Sequence, residues 1–345
     1  MSDAQNVIGE PFRLDERDAV EVIDGLGAYT VCANDPPWST LAPRLPPPVR
    51  VVPAWHMELQ HLDAMAAQEP DNGDVVVGIG GGTALDTAKY LAWKTGKRLI
   101  QVPTITSVDA GFTDAIGVRV DAKVRYVGHV IPELVVLDIP LIRSAPAPLN
   151  RAGIGDILSC HTGLHDWRIA VTAGIGHPWR QDLADLGTTL LGQLDAAADE
   201  VGAVSADGIR FLADAYRRIG AACADAGHSR FEEGSEHFWA YAYEHTTGAH
   251  HVHGELIAFA VAMLSHLQDN DPAWVRSIIT RAHTRANPDD LGIEHRKAVA
   301  ALVNLPTYAR AEGLDFSVVD AIPPTAETAE AAWRHSQSLP RDFPT

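Results

Sequence analysis

DVVVGIGGGTALDTAKYLA, residues 74–92, joins a short valine-rich run to a helical pattern through three consecutive glycines. The run is short and β-branched, which marks a buried strand, whereas residues 84–95 repeat apolar side chains at helical spacing. Gly80, Gly81 and Gly82 lie between them, with Thr83 near the expected helix cap. Glycine lets the backbone reach positive φ and approach a ligand closely. A helix start adds unpaired N–H donors and the positive end of its dipole. Such a turn can hold a pyrophosphate without any charged side chain. It suits equally well a tight βα connection that binds nothing. GxGxxG is absent, so a standard Rossmann domain is not indicated.

The rhythm continues on either side. Residues 28–33 and 49–52 read as strands, residues 16–26 and 57–68 as helices, and residues 98–102 and 135–138 as further strands. Alternation of this kind with short loops predicts a parallel sheet covered by helices. After the turn-rich Ala145-Pro146-Ala147-Pro148 the character changes. Alanine, leucine and charge then recur at helical spacing, as in residues 200–223 and 238–268, with breaks at Asn287-Pro288 and Pro323-Pro324. The expected organisation is an α/β domain with a parallel sheet over residues 1–146 and an all-helical domain over 147–345. Residues 336–345 are polar and contain proline, and are expected to be loosely held.

Charge narrows the function classes. A formal net charge of −18 argues against nucleic acid, whose affinity rests on lysine and arginine neutralising phosphates. The same field repels a dinucleotide, so local donors must hold any such ligand. No apolar run approaches the roughly 18 residues needed to span a bilayer, and the first residues lack a signal-peptide pattern. Cys32, Cys160 and Cys223 form no CxxC pair, which fits a reducing, cytoplasmic location.

Two further constellations stand out. VPTITSVDAGFTDA (residues 102–115) follows a strand and carries Thr104, Thr106, Ser107 and Thr113, with the carboxylate of Asp109 among these hydroxyls. Strand ends of an open α/β sheet are the usual ligand crevice, although hydroxyl-rich loops of this type serve more often as turns and caps. In the helical half, Asp156, His237 and His253 are candidate metal ligands, since zinc and iron(II) accept carboxylate and imidazole. Residues 228–253 hold six of the sixteen histidines. A lone helical histidine is more often surface or core than a ligand. HEXXH is absent.

Taken together, GIGGGTALDTAKY, VPTITSVDAGFTDA, AGIGDILSCHTGLHDWRIA, GSEHFWAYAYEH and HVHGE resemble, in order and spacing, the glycerol-1-phosphate dehydrogenase and glycerol dehydrogenase group. That group shares a larger fold with iron-containing alcohol dehydrogenases and dehydroquinate synthase. The resemblance implies that Gly80, Gly81, Gly82, Thr83 and Ala84 cradle the pyrophosphate of NAD or NADP. It places Thr104, Ser107 and Thr113 on the nicotinamide side and Asp109 at a substrate hydroxyl. It makes Asp156, His237 and His253 ligands of zinc, with iron(II) as the alternative, and so part of the catalytic centre. Asp35 falls where the group has a residue near the adenosine ribose, with Asn34 as the other candidate, and a carboxylate there favours NAD over NADP. Homo-oligomers are expected by the same analogy.

Three positions depart from the group's pattern. Tyr241 stands where a substrate-holding histidine is usual, four residues after the first metal histidine. Cys160 replaces a basic residue on the metal-aspartate helix. Arg230-Phe231-Glu232-Glu233-Gly234 replaces an Arg-Pro-x-Ser-Gly run, bringing two carboxylates toward a phosphate pocket. The expected activity is therefore a metal-dependent, NAD(P)-linked dehydrogenase of a small hydroxylated or phosphorylated carbonyl compound. A sugar-phosphate cyclase using NAD transiently, and a non-catalytic metal- or nucleotide-binding protein, are the competing readings.

Overall fold

The computed structural model describes residues 12–70, 72–341 and 343. Eight strands are present among them: β1 (Arg13–Asp15), β2 (Tyr29–Ala33), β3 (Arg50–Pro53), β4 (Val75–Gly80), β5 (Arg98–Pro103), β6 (Ala115–Val120), β7 (Lys123–His129) and β8 (Leu134–Val136). Six of them form one parallel sheet in the order β1-β8-β5-β4-β2-β3. β6 and β7 make a separate antiparallel hairpin.

The valine run is continuous because both faces of β4 are covered. Val75, Val77 and Ile79 enter one apolar cluster with Val31, Ile100 and Val102. Val76 enters another with Cys32, Leu99 and Leu91. Alternate residues of a strand point to opposite faces, so a strand buried on both sides shows no polar alternation.

Chain order reverses between β2 and β4. From β2 the chain goes outward to β3, then crosses back to β4 on the other side of β2. The carboxyl ends of those two strands, Ala33 and Gly80, therefore border the topological switch point, where ligands of open α/β sheets bind. The helix after β4 spans Gly82–Thr95 and its N-cap is Gly81. Thr83 thus lies inside the first turn rather than at the cap.

The remaining chain is helical. Residues 200–223 are interrupted: Gln181–Gly202 and Ala206–Ala226 are separate helices, with Val204 at a φ of +49° between them. Residues 238–268 divide likewise into Ser235–Thr247 and His253–Leu267 at a left-handed Gly248. His253–Leu267 is buried from Gly254 to Ser265, which explains its nearly unbroken apolar sequence. Of the expected breaks, Asn287 caps a short helix that opens at Pro288, and Pro323-Pro324 falls between helices.

The chain divides into two compact units. The first takes in the described residues up to Ile105, then Asp109–Ile142 and Ala213–His228; the second takes in Thr106–Val108, Arg143–Leu212 and the described residues from Ser229 onward. A shift in composition marks the change near residue 146, but it does not register the return of Ala213–His228 to the first unit. The C-terminal segment is held rather than loose as far as Arg341. Asn287 Nδ2 donates to the carbonyls of Gln337 (3.2 Å) and Leu339 (2.7 Å), and Arg341 Nε donates to Asn287 Oδ1. Residues 342, 344 and 345 lie outside the described residues.

Candidate active site

Asp156, His237 and His253 come together. One ligand atom from each lies within 4.8 Å of the others. Each residue belongs to the first turn of a different helix: Gly155–Thr172, Ser235–Thr247 and His253–Leu267. Asp156 Oδ1 lies 3.2 Å from His253 Nε2. Glu236, which is fully buried, accepts a 2.9 Å bond from His237 Nδ1 and a 2.6 Å bond from the Gly234 N–H. With Nδ1 engaged, Nε2 is the nitrogen of His237 left to bind an ion, the usual arrangement behind a metal-bound imidazole. Burial disfavours charge on His237, but Glu236, Glu233 and Asp156 outweigh it and lift the imidazole to about 9. The neighbourhood is strongly electronegative, as a cation site requires.

The frame behind these side chains is built on Asp166, ten residues after Asp156 on the same helix. Its carboxylate accepts from the backbone N–H of Ser235 (2.7 Å) and of Val318 (2.8 Å), and from Gln268 Nε2 (3.0 Å). It thereby ties three other segments of the second unit together. Glu236 and Asp166 are not among the residues the sequence nominates, because each acts through hydrogen bonds to neighbouring segments. The Glu-His pair at 236–237 is the signal that could have found the first.

The glycine turn belongs to the first unit. Gly80 has a φ of +147°, and a Cβ there would lie 2.6 Å from Asn34 Oδ1 and 2.8 Å from Ala84 Cβ. A Cβ on Gly81 would lie 2.8 Å from Ile105 Cδ1. The N–H groups of Gly82 and Thr83 open the helix and have no acceptor within it. Thr104 donates its N–H to the Gly80 carbonyl (3.0 Å), and its buried hydroxyl has no hydrogen-bond partner among the described residues. A narrow backbone cradle with an unsatisfied hydroxyl fits a phosphate-bearing ligand. Asp35 is exposed and accepts from the N–H (3.1 Å) and hydroxyl of Ser39 in the next short helix, while Asn34 lies against Gly80.

Other residues of the second loop have structural partners. Thr106 bonds Asn150 through its N–H (3.0 Å) and hydroxyl. Thr113 lies over the buried Lys89, whose Nζ is 3.3 Å from its hydroxyl. Ser107 is buried in the second unit. Asp109 opens a 3-10 turn, Asp109–Phe112, in the first unit, so it is not one of the clustered ligands, all of which lie in the second. Tyr241 sits one turn after His237, its ring 6.1 Å from the imidazole, and donates a 2.9 Å hydrogen bond to Glu233 Oε1. Cys160, one turn after Asp156, is buried; burial and then Glu232 and Glu236 push its thiol well above the usual range.

Comparison with known proteins places these features in context. A family model described as iron-containing alcohol dehydrogenase matches residues 47–146. Glycerol-1-phosphate dehydrogenase (NAD(P)+) from Hyperthermus butylicus is 33% identical over 244 residues, 70% of this chain and 68% of that one. Among solved structures, glycerol dehydrogenase from Schizosaccharomyces pombe is similar with a TM-score of 0.69 at 19% identity, covering 90% of this chain and 84% of that one. An iron-containing alcohol dehydrogenase from Corynebacterium glutamicum gives 0.70 at 15% identity, covering 95% and 94%. At those identities the structural matches speak for the fold.

Proposed function

This chain belongs to the glycerol-1-phosphate dehydrogenase family and is an NAD(P)-linked oxidoreductase, and from that premise we propose that Asp156, His237 and His253 hold its metal, zinc, for the interconversion of a small hydroxylated carbonyl compound and its alcohol. The observation that carries the assignment is the convergence of one carboxylate and two imidazoles within 4.8 Å. Three protein ligands leave a position open for substrate. When bound, the metal supplies Lewis acidity to a carbonyl oxygen and the nicotinamide supplies or accepts the hydride.

The chain's own residues provide position and electrostatics. Glu236 fixes the tautomer and direction of His237 through its 2.9 Å bond. The Gly80–Gly82 turn and the opening N–H groups of the following helix take the pyrophosphate without a side-chain cation, which answers the repulsion expected from a net charge of −18. The unsatisfied Thr104 hydroxyl, together with Ser107 and Thr113, is assigned to the nicotinamide side, and Asp109 to a substrate hydroxyl. Asp35, exposed at the end of β2, supports NAD over NADP by repelling a 2′-phosphate. Dehydrogenase relatives leave the cyclase reading without support. A cytoplasmic location is in keeping with three cysteines that form no disulfide. No described helix is long and apolar enough to cross a membrane. Self-association follows the family expectation and is read directly by sedimentation.

The test is to replace Asp156, His237 and His253 singly by alanine and to measure zinc content and NADH oxidation with dihydroxyacetone and dihydroxyacetone phosphate. Loss of both metal and turnover is expected in each variant. Full metal content and turnover in any one would remove that residue from the centre.

A further inference from the structure

The helix that begins with Asp156 in its first turn runs on past Asp166 to Thr172, and its later turns border a second feature. A cavity of about 360 Å³ lies between His165, Arg168, Ile169 and Thr172 on that helix and Phe316 and Ala321 on the segment opposite. All of these residues belong to the second unit. His165 is nine residues beyond Asp156, roughly 13.5 Å along the axis at 1.5 Å per residue, so the cavity is separate from the clustered ligands. Its volume falls within the range of about 300–1,000 Å³ that small-molecule sites occupy.

Both walls are fixed from behind. Trp167 Nε1 donates to the His177 carbonyl (3.0 Å), and its ring packs on Trp179 with centroids 4.8 Å apart, which brings the chain after the helix back against it. Opposite, the Phe316 carbonyl accepts from Arg230 Nη2 (2.9 Å) and the Val318 N–H donates to Asp166 (2.8 Å). A space framed in this way needs little ordering when a ligand enters, which removes one of the main costs of binding.

The polar groups at the cavity are few, and they define its charge. Arg168 is exposed and stacks over the Trp179 ring, its Cζ 5.2 Å from the centroid. Its guanidinium has no hydrogen bond or ion pair among the described residues. In a chain with 45 acidic and 27 basic side chains, such a cation at a cavity rim is held open for an anion from outside. The acids nearby are engaged elsewhere: Asp315 lies 3.9 Å from Arg230, and Asp320 accepts from the Ser317 N–H (3.2 Å) and from Arg310 (3.4 Å). The His165 ring also lacks a hydrogen-bond partner among the described residues. Burial, and then His161 and Arg168, hold its imidazole below the usual range, so at pH 7 it is neutral and offers one N–H donor. One positive charge, one neutral donor and an apolar surface from Ile169 and Phe316 complement a single carboxylate on a compact apolar body. A guanidinium grips a carboxylate through two parallel hydrogen bonds. A dianion would find only one charge, and a polyol would waste the apolar surface. We propose that this cavity is a binding site for a small apolar monocarboxylate, its carboxylate on Arg168 and His165 and its body on Ile169 and Phe316. The assignment stands independently of the metal centre and of the reaction.

The test is titration of the zinc-loaded full chain with benzoate and with benzamide, its uncharged counterpart, followed by saturation-transfer NMR. Benzoate should bind at millimolar concentrations or below, and at least ~10-fold more tightly than benzamide, as one charge-assisted interaction provides. Arg168→Met, at an exposed position, should bring the two ligands within about 3-fold of each other. Ala321→Glu, which sets a competing carboxylate at the rim, should weaken benzoate at least ~10-fold and leave zinc content unchanged. Benzoate that binds Arg168→Met as well as the unaltered protein sits elsewhere, for example on the metal, and would overturn the proposal. So would failure of benzoate to bind. A changed sedimentation coefficient in Arg168→Met, with benzoate affinity unaltered, would also overturn it and make this face a contact between copies of the chain.

Discussion

Gly155 and Gly254 meet backbone to backbone at the starts of two helices: a Cβ on Gly155 would lie 2.4 Å from the Gly254 carbonyl oxygen and 2.6 Å from its Cα. The next residue of one helix is Asp156 and the first residue of the other is His253, and their ligand atoms are 3.2 Å apart. The missing side chains set the spacing of the proposed metal ligands. Gly254→Ala would place its Cβ 2.0 Å from the Ala152 carbonyl oxygen and 2.7 Å from that of Ser107. Backbone atoms cannot rotate away, so the helix must shift, at a cost of about 1–3 kcal/mol. Zinc affinity should fall at least ~10-fold by competition with a chromophoric chelator, and Tm should drop by roughly 3–10 °C. Unchanged zinc affinity would mean that the two helix starts are positioned elsewhere.

Gly80→Ala tests the phosphate cradle. Its φ of +147° suits glycine alone, and the added Cβ would meet Asn34 Oδ1 at 2.6 Å and Ala84 Cβ at 2.8 Å. The turn must move at the place where a pyrophosphate would lie against it. NADH affinity, followed by nucleotide fluorescence, should weaken about 100-fold, equivalent to roughly 2.7 kcal/mol. Zinc content, which depends on the second unit, should not change. Undiminished NADH affinity would assign the glycines to the turn alone.

Much of this architecture is legible in the sequence because local rules and tertiary structure agree there. The valine run of β4 and the helix beginning at Gly82 follow from composition and period, since both are buried where the pattern says they must be. β1 and the β6–β7 hairpin are not legible. Arg13–Asp15 is three residues long at a sheet edge, and β6–β7 is half-exposed with mixed polarity, so neither carries a period strong enough to read. The three candidate ligands could be nominated from their chemistry, but nothing in their spacing brings 156, 237 and 253 together. That depends on Gly155 against Gly254, whose role is a close approach between helices 99 residues apart in sequence. Glu232 and Glu233 were visible as departures from a motif. The bonding of Glu233 to Ser229 and Tyr241, and the turning of Arg230 onto carbonyls, required coordinates.

Lys89 is buried beneath the Thr113 loop, 2.7 Å from Asp86 and within reach of the Thr113 hydroxyl and the Ala115 carbonyl. Lys89→Met preserves the stem and removes the charge, leaving those oxygens without their shared donor. Breaking a buried pair on one side costs about 3–5 kcal/mol, at the lower end here because Asp86 is partly exposed. Chemical denaturation should show that loss in the transition of the first unit. KM for NADH should rise more than kcat falls if Thr113 lines the cofactor. A stability loss with unchanged KM would confine Lys89 to a structural role.

Asp166 predicts the sign of a pH effect. Burial first and then Glu236 raise its carboxyl from 3.8 to about 6, against the hydrogen bonds from Ser235 and Val318 that lower it. A carboxyl raised in the folded state binds a proton between about pH 4 and 6 that the unfolded chain has already released. The native state is therefore favoured by acid in that window, and this group's contribution declines as pH rises through it. Between pH 5 and 7 the change amounts to about 1–2 kcal/mol, at 1.36 kcal/mol per pKa unit. Asp166→Asn removes the titration but also disturbs three hydrogen bonds, which adds an offset that does not vary with pH. The stability of the unaltered protein relative to Asp166→Asn should thus increase on going from pH 7 to pH 5, as measured by urea denaturation of the two proteins side by side. A difference that stays flat across the window would show that Asp166 is ionised throughout, its three donors having fully offset the cost of burial.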